Sequence, residues 1–181
     1  MIFQPYGPLE LSRDCAGLLL LDRDLRTAIW KRADQIDPGL SDACGCYVFA
    51  VRTGGGTKPW YVGKAVRQSF KRECLTQDKV TKYNSVLQTL ERGTPLLYLY
   101  GRVKPGRTRF SAPSTTEHRD VPYLEKMLIA LALGRNKDLV NKRETTLLRN
   151  MIVPGLLNSE PGRPASGQGW ATAELGEVMG Y

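Results

Sequence analysis

The chain has 181 residues, with 26 Lys and Arg against 18 Asp and Glu, and carries a formal net charge of +8 at pH 7. This length supports one sizeable core with extensions and leaves little room for a second independent domain, and the charge favours a polyanionic partner, nucleic acid ahead of an anionic membrane surface. A spanning helix is excluded, because apolar runs such as residues 18–21 fall far short of the roughly 20 apolar residues such a helix needs.

Residues 1–5 lack the basic and then apolar pattern of a secretory leader, so a cytoplasmic chain is expected. Its cysteines, Cys15, Cys44, Cys46 and Cys74, are then reduced and mostly buried. Cys44 and Cys46 share a strand face, but no second Cys/His pair accompanies them, and packing is favoured over a zinc site. Residues 11–36 read as a helix: Ser12 can cap it, Leu18, Leu21, Leu25, Ala28 and Ile29 recur at helical spacing, and Asp37-Pro38-Gly39 stops it. Its Arg23, Arg26, Lys31 and Arg32 read as a solvated face. Residues 1–42 are thus expected to form an N-terminal helical extension.

From residue 43 the pattern changes period. Two short runs rich in aromatic and β-branched residues flank Gly54-Gly55-Gly56, which predicts a hairpin. A turn at Gly54 or Gly55 sets Tyr47 opposite Tyr61 or one diagonal step away, with both phenols on one face. Lys64 leaves the second strand, and Lys71 and Arg72 follow on a helix over residues 66–75. A second helix is expected over 79–92 with Tyr83, Val86, Leu87 and Leu90 on one stripe, stopped by Gly93. Residues 96–103 are apolar on both faces and form a third, buried strand.

Residues 104–119 are rich in Lys, Arg, Ser, Thr, Pro and Gly and read as a mobile loop, in which Lys104, Arg107, Arg109, His118 and Arg119 either meet phosphates or stay solvated. Residues 120–134 form the strongest helix, with Asp120 as cap, Pro122 in the first turn and Gly134 at the end; apolar all round, it should be a core helix. Glu125 shares a side with Leu128, Ile129 and Ala132, and a carboxylate so placed demands a positive partner. A short helix is expected to continue through Leu148, and residues 158–181 form an irregular tail that Trp170 and Leu175 can anchor.

Gly45-Cys46-Tyr47 and Tyr61-Val62-Gly63 resemble the two signature tripeptides of the GIY-YIG nuclease family, with Cys46 in place of an aliphatic residue. Arg72 and Glu125 fall where that family has its arginine and its metal-binding glutamate. The resemblance spans about residues 43–141, within a domain taken as 43–157, and implies an α/β fold with a small three-stranded, largely antiparallel sheet flanked by helices. It also implies a metal-dependent DNA endonuclease that leaves 5′-phosphate and 3′-hydroxyl ends.

In that scheme Tyr47 is the general base, Tyr61 orients water or phosphate, and Lys64 and Arg72 supply positive charge. Glu125 holds one Mg2+ or Mn2+ ion. Asn141 supports the site, although Asn136 has the better spacing. Arg67, Lys71, Lys104, Arg107, Arg109 and Arg119 are candidate DNA contacts. The residue expected one turn after the arginine is Thr76, which leaves Tyr83 or His118 as a replacement. The alternative is a catalytically silent module of the same fold that binds nucleic acid, and a basic adaptor ranks last.

Overall fold

The computed structural model of the chain describes residues 2–90, 92–104, 106, 109–114, 116, 118–141, 145 and 150. In order the elements are strand β1 (Ile2–Glu10), helix α1 (Arg23–Ile36), strands β2 (Gly45–Thr53) and β3 (Gly56–Ala65), helices α2 (Phe70–Glu73) and α3 (Gln77–Gln88), strand β4 (Thr94–Val103) and helix α4 (Asp120–Arg135). The four strands make one antiparallel sheet in the order β1-β4-β2-β3.

The sheet therefore has four strands where three were expected. The extra one is β1, so residues 1–42 hold a strand followed by helix α1, which covers the second half of the helix expected over 11–36. Pro5, Gly7 and Pro8 mask a strand in the sequence, yet β1 is an edge strand, where a missing backbone donor is tolerated. Residues 11–21 are not helical either: Gly17 takes a left-handed φ of +79°, and the chain doubles back so that Arg13 bridges Leu19. Asp22 replaces Ser12 as the cap of α1, accepting from the Leu25 amide at 2.7 Å.

The hairpin forms as expected, with Thr53 opposite Gly56 across Gly54 and Gly55. One face of the sheet carries the larger core, in which Tyr47, Phe49, Leu97 and Leu99 meet Trp30 of α1, Phe70 of α2 and Tyr83 and Leu87 of α3. The opposite face packs Val62 and Val48 against Ile129, Ala132 and Leu133 of α4. Because only one side of α4 meets the sheet, Tyr123, Met127 and Leu131 remain exposed, and α4 is a flanking helix, not a core helix. The loop after β4 is fastened: the Ser111 amide donates to the Arg102 carbonyl at 2.8 Å and the Cys44 amide to that of Ser111 at 3.2 Å. No helix among the described residues is long and apolar enough to cross a membrane. The expected helix through Leu148 and the tail over 158–181 lie outside the described residues, apart from Thr145 and Asn150.

Candidate active site

Register decides where the two signature tyrosines go. Tyr47 pairs with Gly63 and Phe49 with Tyr61, so the phenols sit one diagonal step apart on one face, with ring centroids 6.2 Å apart. Both signature glycines answer to close approach. A Cβ on Gly63 would lie 2.4 Å from Tyr47 Cζ, and one on Gly45 2.0 Å from the Tyr100 carbonyl oxygen.

Tyr47 is fully buried. Burial, reinforced by Tyr83, Cys74, Tyr61 and Glu73, raises its pKa well above the ordinary value. Its hydroxyl comes up beside that of Tyr83 without meeting a partner in hydrogen-bond geometry. Tyr83 stacks on Phe49 at 4.1 Å and donates to the Cys74 carbonyl, a core position. Tyr61 is only half-buried, and Lys79 and Lys82 stand 5.9 and 5.7 Å from its ring. Burial works against the Lys79 ammonium, but Tyr61, Glu73 and Asp78 together raise its pKa.

Lys64 pairs with Cys46, one residue out of phase with the phenols, and so points to the α4 face. There its ammonium is ion-paired with Glu125, whose side chain keeps 17% exposure against 42% for Lys64. This is the positive partner the carboxylate required. Cys46 Sγ donates to the Val121 carbonyl, and burial, then the nearby Glu125, raise its pKa. Asp120 does not cap α4; it accepts from Arg102 at 2.8 Å, an ion pair 15% and 10% exposed, and Arg102 also donates to Ser111 Oγ.

Among the described residues no three His, Cys, Asp or Glu side chains lie together to hold a metal. A cation at Glu125 would thus rest on one carboxylate, completed by water and substrate. That donor set suits hydrated Mg2+ or Mn2+, which often take a single protein carboxylate, and does not suit a zinc or calcium cage.

Asn141 is placed to serve β3. Its Oδ1 accepts from the Val62 amide at 2.9 Å and its Nδ2 donates to the Val62 carbonyl at 2.7 Å. Asn136 holds the same edge farther along, donating to the Pro59 carbonyl, and the Val140 amide donates to the Trp60 carbonyl. Tyr47, Glu125 and Asn141 thus meet the four residues Tyr61, Val62, Gly63 and Lys64 from one face, the other face and the open edge.

Arg72 is exposed on α2, in contact with neither the phenols nor Glu125 through any ion pair or hydrogen bond. The start of α2 is nonetheless fixed at the Lys64 end of the hairpin, where the Phe70 amide donates to the Ala43 carbonyl. Lys71 is exposed and paired with Asp42 at 2.7 Å. Arg67, Lys104, Arg109 and Arg119 are exposed, and Arg107 lies outside the described residues. His118 Nε2 lies 2.8 Å from the Ala112 carbonyl, within its loop.

Three contributing residues were invisible to sequence reasoning. Lys79 and Lys82 read as ordinary helix-surface cations until the fold brings them to Tyr61. Arg13 donates to the carbonyls of Leu87, Leu90 and Gly93, closing the end of α3, and no local pattern marks an arginine 74 residues away as a cap. Comparison with protein-family models, with curated proteins and with solved structures finds no match to this chain.

Proposed function

We propose that this chain is a DNA endonuclease of the GIY-YIG type, hydrolysing phosphodiester bonds with one divalent ion on Glu125. The observation that carries this reading is that Tyr47, Glu125 and Asn141 all meet the same four consecutive residues of an edge strand, from its two faces and its open edge. Arg72, with no side-chain ion pair or hydrogen bond among the described residues, stands at the same end of the hairpin and is available to clamp two phosphate oxygens as charge builds in the transition state. Lys64 can leave Glu125 and meet a phosphate, because its stem is flexible and its head is exposed.

The proton acceptor is assigned to Tyr61 instead of Tyr47. A phenol sealed from water and disfavoured as phenolate cannot deprotonate a water molecule, whereas Tyr61 is only half-buried, with Lys79 and Lys82 beside its ring. Tyr47 then serves as the floor that sets Tyr61 and Gly63. The chemistry a bound Mg2+ or Mn2+ supplies is neutralisation of the leaving 3′ oxygen.

Supercoiled plasmid incubated with Mg2+ tests the assignment. Nicking should fall on the order of 100-fold in Glu125→Ala and in Arg72→Ala, the scale of losing one transition-state contact. Equal nicking by wild type and both variants would overturn it. A second reading, a silent module that binds nucleic acid, is favoured by the Lys64 ion pair that already neutralises Glu125. It predicts salt-sensitive DNA binding with no cleavage by any form.

A further inference from the structure

Away from the hairpin site, α1 and α2 enclose an open cavity of about 400 Å3 lined by Arg23, Arg26, Thr27, Trp30, Lys71 and Leu75. Its volume lies in the range of small-ligand sites, roughly 300–1,000 Å3. The lining divides by chemistry. Trp30 and Leu75 are buried and form an apolar wall, while the other side carries three cations.

The cations differ in how they are held. Arg26 is fixed, donating through Nε to the Leu21 carbonyl and through Nη1 to that of Leu75, so its remaining N–H groups are presented without further loss of side-chain freedom. Lys71 shares its charge with Asp42. Arg23 is exposed, and among the described residues its side chain makes no ion pair or hydrogen bond. Three cations against one carboxylate leave the cavity positive. A fixed guanidinium and a tryptophan lining one cavity suit a ligand with a flat aromatic part and an anionic part.

We propose that this cavity binds one nucleotide unit, its phosphate held by Arg23, Arg26 and Lys71 and its base laid along Trp30 and Leu75. Aromatic and aliphatic walls accept any base face, so the site has little base preference. Lys71 lies next to Arg72 in the chain, so under the proposed function a strand held at Arg72 would have the cavity as a neighbour. The cavity rests on the proposed function only for that adjacency; its binding does not need cleavage.

Isothermal titration calorimetry in EDTA, where no metal-dependent cutting occurs, separates the two. The probes are adenosine 5′-monophosphate, adenosine and a single-stranded octadeoxyadenylate, each titrated into the full chain and into Arg23→Glu and Arg23→Gln, with circular dichroism confirming that both variants fold. Saturable binding of the monophosphate but not of adenosine is expected, weakened about tenfold in Arg23→Glu and less in Arg23→Gln, as for one charge-assisted phosphate contact. Tighter binding of the octamer with the same Arg23 dependence would assign the cavity to a strand, and equal binding would assign it to a free nucleotide; either supports the site. Undiminished binding in both variants, or no saturable binding of either phosphate-bearing probe, would overturn it, whatever the plasmid assay gives.

Discussion

A methyl group on Gly63 would stand 2.4 Å from the ring of Tyr47, whereas one on Gly54 in the hairpin turn would meet nothing within 4 Å. Gly63→Ala should therefore cost about 1–3 kcal/mol, the usual penalty for overfilling a packed core. Gly54→Ala should change stability far less, and chemical denaturation of the pair measures the contrast. Tyr47→Phe makes the complementary change. It removes a buried hydroxyl without a proper partner, so stability should hold or rise by up to about 1 kcal/mol. With Tyr61 as proton acceptor, cleavage should survive in Tyr47→Phe and be lost in Tyr61→Phe; the opposite pattern would return the base to Tyr47. Spacing put Tyr47 opposite Tyr61 or one diagonal step away; the two-residue turn continued regularly would set Tyr47 against Val62, and the register shift between Phe49 and Ala50 brings it to Gly63, with both phenols on one face. Spacing could not tell which phenol reaches water, since that depends on Tyr83 and Phe49 closing over one of them.

Edge strands expose a row of unpaired backbone groups, and this sheet manages its β3 edge with asparagine. Asn141 answers both the amide and the carbonyl of Val62 with one side chain, imitating a neighbouring strand at a single position. Asn141→Ala should cost about 1–2 kcal/mol and speed hydrogen exchange at the Val62 amide while leaving exchange in β4 unchanged. Uniform acceleration across the sheet would show global destabilisation instead. The hairpin, β4 and α4 were legible because each is an apolar run of suitable length bounded by glycine or a polar turn. β1 and residues 11–21 were not, for opposite reasons. Pro5 and Pro8 disguise an edge strand, and Leu18 and Leu21 imitate helical spacing while filling a reversed loop that Gly17 permits and Arg13 ties to the end of α3.

At the scale of the whole molecule, one face of the sheet holds most of the core and, with it, a set of buried acids that are neutral at pH 7. Tyr47, Tyr83 and Cys74 on that face all have pKa values raised well above the ordinary by burial. Near the start of β2, burial also pushes the Cys44 thiol up to about 11. The linkage has one sign for all of them. An unfolded chain gives up these protons at ordinary pKa values, the folded chain holds them, and raising the pH past the ordinary values favours unfolding. Stability from these groups is therefore fully present below about pH 9 and drains away above it, by up to about 1.4 kcal/mol per pH unit for each group until its folded pKa is reached. Melting temperature should fall steeply between pH 9 and pH 11, with tyrosinate absorbance from the buried phenols appearing only as the chain unfolds. Thiol chemistry gives an independent check. Cys15 is the exposed cysteine, so iodoacetamide at pH 8 should modify it alone in the native protein and all four cysteines in denaturant. A melting temperature unchanged at pH 11, or prompt native alkylation of Cys74, would mean that this core is open to water and that the sheet does not seal Tyr47.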